Sequence, residues 1–339
     1  MMQKTYIIAE AGVNHNGDIN IAKKLIDCAA LAGADAVKFQ SFHAGHVVQK
    51  NTKKAEYQMQ ATEAEETQYD MLRKLELTVE MHEELIEHCK LRKIQFLSTP
   101  FDNTSVDYLV SKDVPLIKVP SGEITNYPYL VHVAKTGRPV IMSTGMSTLE
   151  EIEEALAVLR KNGTKEISIL HCNTEYPTPI SDANVLAIKV LKEKFLVPVG
   201  YSDHTQGIEA SVAAVALGAT IIEKHFTLDK GMEGPDQQAS LSPEELLALV
   251  KAIREVELAL GKAEKQVTDS ERKNIVIARR SIVSREPIKK GELFTEANLT
   301  TKRPADGINP MKWEQLIGLT ADREYAEDEQ IIWPQNKIL

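Results

Sequence analysis

The sequence is poor in cysteine, with three residues in 339, Cys28, Cys89 and Cys172, and no Cys-x-x-Cys pair. So sparse and odd a count argues against a disulfide scaffold or a cysteine-built zinc site, and it fits a reducing compartment. Long hydrophobic runs are also missing: none approaches the roughly 20 apolar residues of a membrane helix, and no signal-peptide core precedes the first apolar segment. We therefore expect a soluble, cytoplasmic protein without a membrane partner.

Positive charge is scarce relative to negative charge, since 40 Lys and Arg against 49 Asp and Glu give a net charge of −9. Proteins that bind nucleic acid usually show the opposite balance, so no nucleic-acid partner is expected. A small anionic substrate remains compatible, because a few lysines in one cleft reverse the local field. With 43% apolar and 26% charged residues, the chain has the composition of a globular protein with a real core.

Eight short apolar segments, most of them rich in isoleucine and valine, alternate with amphipathic segments over about the first 260 residues. Short apolar runs with polar ends are typical of buried parallel strands. The segments are Tyr6–Ala11, Asp35–Gln40, Gln95–Phe101, Leu116–Glu123, Pro139–Gly145, Ile167–Asn173, Pro198–Asp203 and Ile221–Phe226. Eight strand–helix units predict a (β/α)8 TIM barrel of class α/β over residues 1–262, with a doubly wound open sheet as the alternative.

Capping signals mark the ends of two of the intervening helices. Ser147 and Glu150 fit a capping box that opens one helix. Ser242 and Glu245, with a proline between them, open another, and Gly261 stands where that helix should stop.

Two segments depart from the repeat. The polar connection from about Ser41 to Leu75 is long, which predicts a lid or a substrate-binding loop, with a solvated surface excursion as the alternative. From about Ser281 the pattern changes to short strands and turns, too few residues for a comfortable core of their own. We predict a linker at 263–280 and a small domain at 281–339 that docks on another surface.

Polar residues stand at the end of nearly every predicted strand, where the active site of a barrel lies. Such groups are costly to bury together without a ligand, so we expect them to line a substrate cavity. They are Glu10, Lys38 with Gln40, Ser98 with Thr99, Lys118 with Ser121 and Glu123, Ser143 with Thr144, His171 with Asn173, Ser202 with His204, and Lys224 with His225.

Some of these residues suggest specific chemistry. Lys38 and Lys118, with hydroxyl groups around them, suit a small, multiply charged anion; a structural ion pair and a Schiff-base lysine are the alternatives. His204 and His225 end neighbouring strands and can share a divalent ion, although a hydrogen-bonded core histidine is the commoner fate of each alone. Glu10 fits a general acid or base, or equally a partner for one lysine.

Nine motifs, spread over almost the whole chain, are together highly specific. They are Ala-Glu-Ala-Gly-Val-Asn-His-Asn-Gly (9–17), Val-Lys-Phe-Gln (37–40), Ser-Thr-Pro-Phe (98–101), Pro-Ser-Gly-Glu (120–123), Ser-Thr-Gly-Met (143–146), His-Cys-Asn-Thr-Glu-Tyr-Pro-Thr-Pro (171–179), Tyr-Ser-Asp-His-Thr (201–205), Glu-Lys-His-Phe-Thr (223–227) and Lys-Arg-Pro (302–304). In these motifs the chain resembles the sialic acid synthase family, bacterial enzymes that condense phosphoenolpyruvate with an N-acylated mannosamine. The tail resembles the family's antifreeze-like (SAF, β-clip) domain, which in the family swaps across a homodimer and caps the partner's barrel.

The resemblance implies roles for particular residues. Phosphoenolpyruvate would be held by Lys38, Thr99, Lys118, Ser121 and Ser202, with a further contact from Asn173 or Thr174. The acceptor sugar would be held by Glu10, Gln40, Tyr176 and Asp236, and by Arg303 of the partner's SAF domain. A divalent metal, Mn²⁺ before Mg²⁺ or Co²⁺, would be bound by His204 and His225, with Glu10 handling protons. A further family contact from the loop after the second strand is not assigned to a residue.

The reaction implied by the resemblance joins phosphoenolpyruvate, N-acetyl-D-mannosamine and water to give N-acetylneuraminate and phosphate, with C–O cleavage. We favour this acceptor because the motif at 171–179 looks like the bacterial sialate form. The alternative is an N,N'-diacetyllegionaminate synthase that uses 2,4-diacetamido-2,4,6-trideoxy-mannose. Below both we rank a metal-independent Schiff-base aldolase and a non-catalytic sugar-binding module led by the tail.

Overall fold

Short segments rich in branched side chains form eight parallel strands in the computed structural model, which describes residues 4–55, 58–59 and 66–335. The strands are β1 Tyr6–Gly12, β2 Ala36–Ser41, β3 Gln95–Pro100, β4 Ile117–Val119, β5 Val140–Ser143, β6 Ile167–Cys172, β7 Val199–Asp203 and β8 Ile221–His225. Hydrogen-bonded neighbours follow the order β3-β2-β1-β8-β7-β6-β5-β4, and β3 and β4 approach within 8 Å between Cα atoms. The predicted (β/α)8 barrel is confirmed, and the open sheet is excluded.

The fourth strand differs most from its prediction. The segment Leu116–Glu123 contributes only Ile117–Val119 to the sheet, and Ser121–Glu123 forms a 3₁₀ turn. Pro120 explains the early end, because proline has no N–H to donate to a neighbouring strand. The turn directs the Ser121 hydroxyl toward the Gly145 backbone N–H, which donates to it over 2.9 Å.

Helices follow the strands of the barrel and bury their apolar faces against them. They are Ile19–Ala32, Ala44–Val47, Gln68–Lys74, Val79–Arg92, Asn103–Ser111, Tyr127–Lys135, Leu149–Lys161, Ala187–Phe195, Glu209–Ala216 and Pro243–Ala259. The capping box of Ser242 and Glu245 is confirmed. The other box lies one residue later than predicted, at Thr148 and Glu151, because the Ser147 hydroxyl donates to a carbonyl two residues back.

Inside the barrel, an apolar layer closes the floor beneath the strand ends. Its buried members are Ile8, Ala36, Leu97, Ile141, Leu170 and Ile221. Gly200 of β7 completes the layer without a side chain, because a Cβ there would come within 2.4 Å of the Ile221 carbonyl oxygen. Side chains two residues apart on a strand point to the same face, so the next inward-facing side chain of each strand lies one layer higher.

The chain divides into two compact units, Met1–Gly261 and Lys262–Leu339. In the second unit, β9 (Ser281–Ser284) pairs antiparallel with β10 (Leu299–Lys302). Its apolar core consists of Ile282, Ile288, Phe294, Leu299, Ile308, Leu316, Ala321, Tyr325 and Ile331. The segment predicted as linker contains two short helices, Asp269–Arg272 and Asn274–Ala278, and residues 336–339 of the predicted domain lie outside the described residues. None of the helices in the described part of the chain is long and apolar enough to span a bilayer.

Candidate active site

A layer of polar side chains lies one step above the apolar floor of the barrel. These buried residues are Glu10, Lys38, Thr99, Lys118, Ser143, Cys172, Ser202 and Glu223. Each of them lines a cavity of about 570 Å³, and Gln40, Ser121, Thr174, Tyr176, His204 and His225 line it as well. The structure therefore brings together most of the side chains that the sequence placed at the strand ends.

Two lysines and two glutamates form a charged cluster in this cavity. Lys38 Nζ lies 2.7 Å from Glu10 Oε2 and 3.6 Å from Glu223 Oε2. Lys118 Nζ lies 3.6 Å from the other oxygen of Glu223. One carboxylate thus holds both ammonium groups against the same cavity.

Hydroxyl groups complete the surroundings of the two lysines. Lys38 Nζ donates to Thr99 Oγ1 over 2.7 Å, and Lys118 Nζ donates to Ser143 Oγ over 2.6 Å. The Ser202 hydroxyl donates to Glu223 Oε1 over 3.0 Å. Because an ammonium group has three N–H bonds, Lys118, with two partners, retains one N–H for an anionic ligand, whereas all three N–H bonds of Lys38 have a partner and it would act mainly through its charge.

Burial and neighbouring charge give the two carboxyl groups different pKa values. Burial raises the pKa of Glu10 to about 7, against the attraction of Lys38. Burial acts in the same direction on Glu223, but the charges of Lys118 and Lys38 outweigh it and hold that pKa at about 2. The pKa of Lys38 is raised, since its two carboxylate partners outweigh burial, whereas burial lowers the pKa of Lys118. At neutral pH, Glu223 is therefore ionised while Glu10 is poised to give or take a proton.

His204 and His225 face each other at the rim, with ring centroids 5.3 Å apart. His204 Nδ1 donates to the carbonyl of Asn173, which leaves Nε2 free of a proton in the neutral ring. His225 Nδ1 is buried without a hydrogen-bond partner among the described residues, and it lies 3.8 Å from Asp236 Oδ2. Burial lowers the pKa of His204 to about 4 and that of His225 well below its usual value, so both rings are neutral.

Two neutral imidazoles in this arrangement are suitable ligands for a divalent cation. Within residues 4–55, 58–59 and 66–335, no group of three or more His, Cys, Asp or Glu side chains could hold a metal ion. A cation bound by the pair would therefore keep positions open for water or substrate, as exchangeable catalytic metals do. Nδ1 of His225, which is buried without a hydrogen-bond partner among the described residues, fits the role of a metal-binding atom.

A second cavity of about 780 Å³ adjoins the first, because Gln40, Phe101 and Tyr176 line both. The Tyr176 ring lies 4.1 Å from that of His204 between centroids. Asp236 also lines this second cavity, and burial raises its pKa to about 6. We call this second cavity the chamber.

The remaining predicted residues have more varied positions. Thr174 lines the charged cavity, whereas the Asn173 side chain accepts a hydrogen bond from the Glu175 backbone N–H over 2.8 Å. Arg303 is exposed in the second unit, so its contact with a sugar stays a prediction. Part of the predicted loop Ser41–Leu75 borders the chamber, and its residues 56–57 and 60–65 lie outside the described residues. The further family contact predicted from this loop stays unassigned to a residue.

Glu223 and Cys172 are two residues of the polar layer that the sequence did not single out. For β8 the sequence indicated Lys224 beside His225, yet Lys224 Nζ lies 3.0 Å from Asp203 Oδ2, on the opposite face of its strand. The two-residue alternation of a strand is the signal that selects Glu223 as the inward neighbour of His225.

Comparison with known proteins gives matches over both units. A model described as the NeuB family matches residues 25–265, and a SAF domain model matches residues 279–335. An N,N'-diacetyllegionaminic acid synthase of Campylobacter jejuni is 56% identical, over 97% of this chain and 99% of that protein. One of Legionella pneumophila is 44% identical, over 97% of this chain and 93% of that protein. The crystal structure of an N-acetylneuraminic acid synthetase of Leptospira borgpetersenii in complex with citrate is 35% identical, with a TM-score of 0.71, over 80% of this chain and 90% of that one.

Proposed function

Since this chain belongs to the NeuB family of nonulosonic acid synthases and carries a SAF domain, we propose that it is an N,N'-diacetyllegionaminate synthase. Its substrates are phosphoenolpyruvate, water and 2,4-diacetamido-2,4,6-trideoxy-mannose, and its products are N,N'-diacetyllegionaminate and phosphate. Two relatives, 56% and 44% identical to this chain, are named for this product, and they support this acceptor over N-acetylmannosamine, the acceptor favoured by the motifs. Because the named members of the family are synthases, the hypothesis of a non-catalytic sugar-binding module is also dropped.

The charged cluster supports phosphoenolpyruvate as the donor substrate. Lys38 and Lys118 bring two positive charges to the carboxylate of Glu223, so with Glu10 protonated the cluster carries a net positive charge that suits a phosphorylated carboxylate. Thr99, Ser121 and Ser202 add hydroxyl groups around them. In the reaction, the lysines stabilise the negative charge of the phosphate as it leaves.

We assign proton transfer to Glu10. Carbon 3 of phosphoenolpyruvate attacks the aldehyde carbon of the open-chain sugar, and the aldehyde oxygen takes up a proton as the C–C bond forms. With a pKa of about 7, Glu10 can donate that proton near neutral pH. Water then adds to carbon 2, loses a proton, and the tetrahedral intermediate releases phosphate by C–O cleavage.

His204 and His225 are the proposed ligands of a divalent cation, Mn²⁺ before Mg²⁺ or Co²⁺. When bound, the cation supplies Lewis acidity at the acceptor's aldehyde oxygen. Asn173 orients His204 through its carbonyl, and Asp236 Oδ2 lies 3.8 Å from His225 Nδ1. The raised pKa of Lys38 keeps its amine protonated and non-nucleophilic, which disfavours a Schiff base at that residue.

A domain-swapped homodimer is part of the proposal. The second unit has a small core of its own, and a domain of this size gains stability by docking on another surface. In the dimer, Arg303 of each chain would reach the acceptor bound by the other barrel. Sedimentation equilibrium of the full chain, giving a mass of two chains, is the expected result.

The experiment that tests the function is incubation of purified protein with phosphoenolpyruvate, Mn²⁺ and each acceptor in turn. We expect a nine-carbon product with the mass of N,N'-diacetyllegionaminate, release of phosphate, and loss of turnover in EDTA. A higher kcat/KM with N-acetylmannosamine would return the assignment to sialic acid synthesis. Covalent trapping of pyruvate by borohydride, with turnover that survives EDTA, would instead indicate the Schiff-base aldolase.

A further inference from the structure

The chamber beside the charged cavity is lined mostly by apolar side chains. They are Val13, Phe42, Val47, Val48, Met71, Leu72, Leu75, Phe101 and Pro235. A pocket that is apolar on most of its surface selects ligands mainly by removing apolar groups from water, and a few polar groups set the orientation. The chamber therefore suits a ligand portion with few hydroxyl groups.

This apolar lining is an ordered part of the fold. Met71 and Leu75 lie four residues apart at the helix Gln68–Lys74 and are buried with Val13 and Phe42 in one cluster. Val47, Leu72 and Phe101 are half-buried and pack against that cluster. Since these half-buried side chains also line the chamber, they present an apolar surface to whatever enters it.

The position of the histidines determines which part of the acceptor enters the chamber. Tyr176 lines both cavities, and its ring lies 4.1 Å from His204 and 5.6 Å from His225 between centroids. An aldehyde carbon next to the two histidines leaves five further carbons, which extend roughly 6 Å at a C–C bond length of about 1.5 Å. The carbon 4 to carbon 6 half of the sugar is then the part that reaches the chamber.

On the basis of the proposed function, we infer that the apolar surface of Val47 and Leu72 determines acceptor specificity by taking the deoxygenated end of the sugar. The methyl group at carbon 6 and the acetamido methyl at carbon 4 contact this surface. A 6-hydroxyl group there would lose its water without gaining a partner from either side chain. Apolar pockets discriminate against one added hydroxyl by about 100-fold at most, so we expect a preference of about 10- to 100-fold over N-acetylmannosamine.

The test measures kcat/KM for both acceptors, at saturating phosphoenolpyruvate and Mn²⁺, in the full-length protein and in Leu72→Asn and Val47→Thr. Each substitution places a polar group on the chamber surface without changing the number of side-chain heavy atoms. We expect each variant to lower kcat/KM for the trideoxy acceptor about 10-fold and to change it less than 3-fold for N-acetylmannosamine. Val190→Thr, on the exposed side of the helix Ala187–Phe195, is the matched control and should change neither value.

Two further readouts separate the possible outcomes. Leu72→Met retains an apolar surface and should keep the wild-type preference for the trideoxy acceptor. The KM for phosphoenolpyruvate should be unchanged in all variants. If the wild type prefers the trideoxy sugar but Leu72→Asn and Val47→Thr lower kcat/KM equally for both acceptors, the inference is overturned and the proposed function stays intact. A wild type that prefers N-acetylmannosamine would overturn the proposed acceptor itself.

Discussion

Glu223→Gln is expected to destabilise the barrel strongly while leaving its shape unchanged. The carboxylate lies 3.6 Å from both Lys38 Nζ and Lys118 Nζ, and all three side chains are buried. Removing one partner of a buried ion pair leaves uncompensated charge and costs about 3–5 kcal/mol. At about 2–4 °C per kcal/mol for a domain of this size, the thermal midpoint should fall by roughly 6–20 °C.

The pH dependence of this loss has a definite sign. The charges of Lys118 and Lys38 overcome the effect of burial and hold the pKa of Glu223 at about 2, below its ordinary value of 4.5. The stability it contributes is therefore fully present above about pH 4.5 and is lost as the pH falls toward 2. The difference between wild type and Glu223→Gln should therefore shrink below about pH 4.5. It should also change between about pH 4.5 and 7, because the charge of Glu223 contributes to the raised pKa of Glu10.

Glu10→Gln is the matched control in the same cavity. Burial raises the pKa of Glu10 from 4.5 to about 7, so its charge forms at a cost, and this group lowers wild-type stability as the pH rises from about 4.5 to 7. Glutamine resembles the protonated carboxyl group, so at pH 5 this variant should lose less than about 1 kcal/mol, as expected for a neutral replacement. Equal losses in the two variants at pH 5 would refute the assignment of charge.

Differential scanning calorimetry of the full chain is the assay, because it separates the transitions of two units. Saturating phosphate should raise the midpoint of Glu223→Gln more than that of the wild type, because the anion replaces the missing negative charge near the lysines. A loss below 1 kcal/mol, or equal stabilisation by phosphate, would mean that Glu223 does not compensate the two lysines.

Three further predictions concern the reaction. His225→Ala should abolish metal-dependent turnover and Mn²⁺ binding by calorimetric titration while the circular dichroism spectrum is retained; full activity would remove His225 from the mechanism. Arg303→Ala should raise the KM of the acceptor more than that of phosphoenolpyruvate, and equal effects in steady-state kinetics would contradict its place beside the sugar. The wild-type kcat/KM should decline above about pH 7 as Glu10 of the free enzyme loses its proton, and Glu10→Gln should lower kcat/KM by roughly 10²–10⁴-fold and remove that limb of the pH profile.

The barrel was predictable from sequence because each strand is buried on both faces and so appears as a continuous apolar run. The loop after β2 was not, because its helices depend on contacts made at a distance along the chain. The Ala44 backbone N–H donates to Glu76 Oε1 over 2.7 Å, which stabilises the first turn of a four-residue helix, Ala44–Val47. A helix that short has no detectable periodicity and is stabilised by its tertiary contacts.

The sequence located the strand ends correctly. It did not predict which of two adjacent side chains at a strand end points into the barrel. At β8, Glu223 faces the cavity while Lys224 pairs with Asp203 on the outer face. At β5, Ser143 accepts from Lys118, and the Thr144 hydroxyl donates to a backbone carbonyl. To choose between two adjacent residues, one must know which alternate positions of the strand face the barrel interior. One residue known to face inward on each strand is enough to define this.

Acceptor identity was the least predictable feature, because the two halves of the site are built from different kinds of segment. The proposed donor half stands on strands, where Lys38 and Lys118 are fixed by register and keep their motif spacing. The chamber surface comes from connections after strands, such as Val47 and Leu72, which have no pattern to read. The motif at 171–179, from which N-acetylmannosamine was favoured, contributes Tyr176 at the junction of the cavities, where the proposed pose puts the part that both acceptors share. Discrimination between sugars that differ at carbons 4 and 6 has to be sought in the connections.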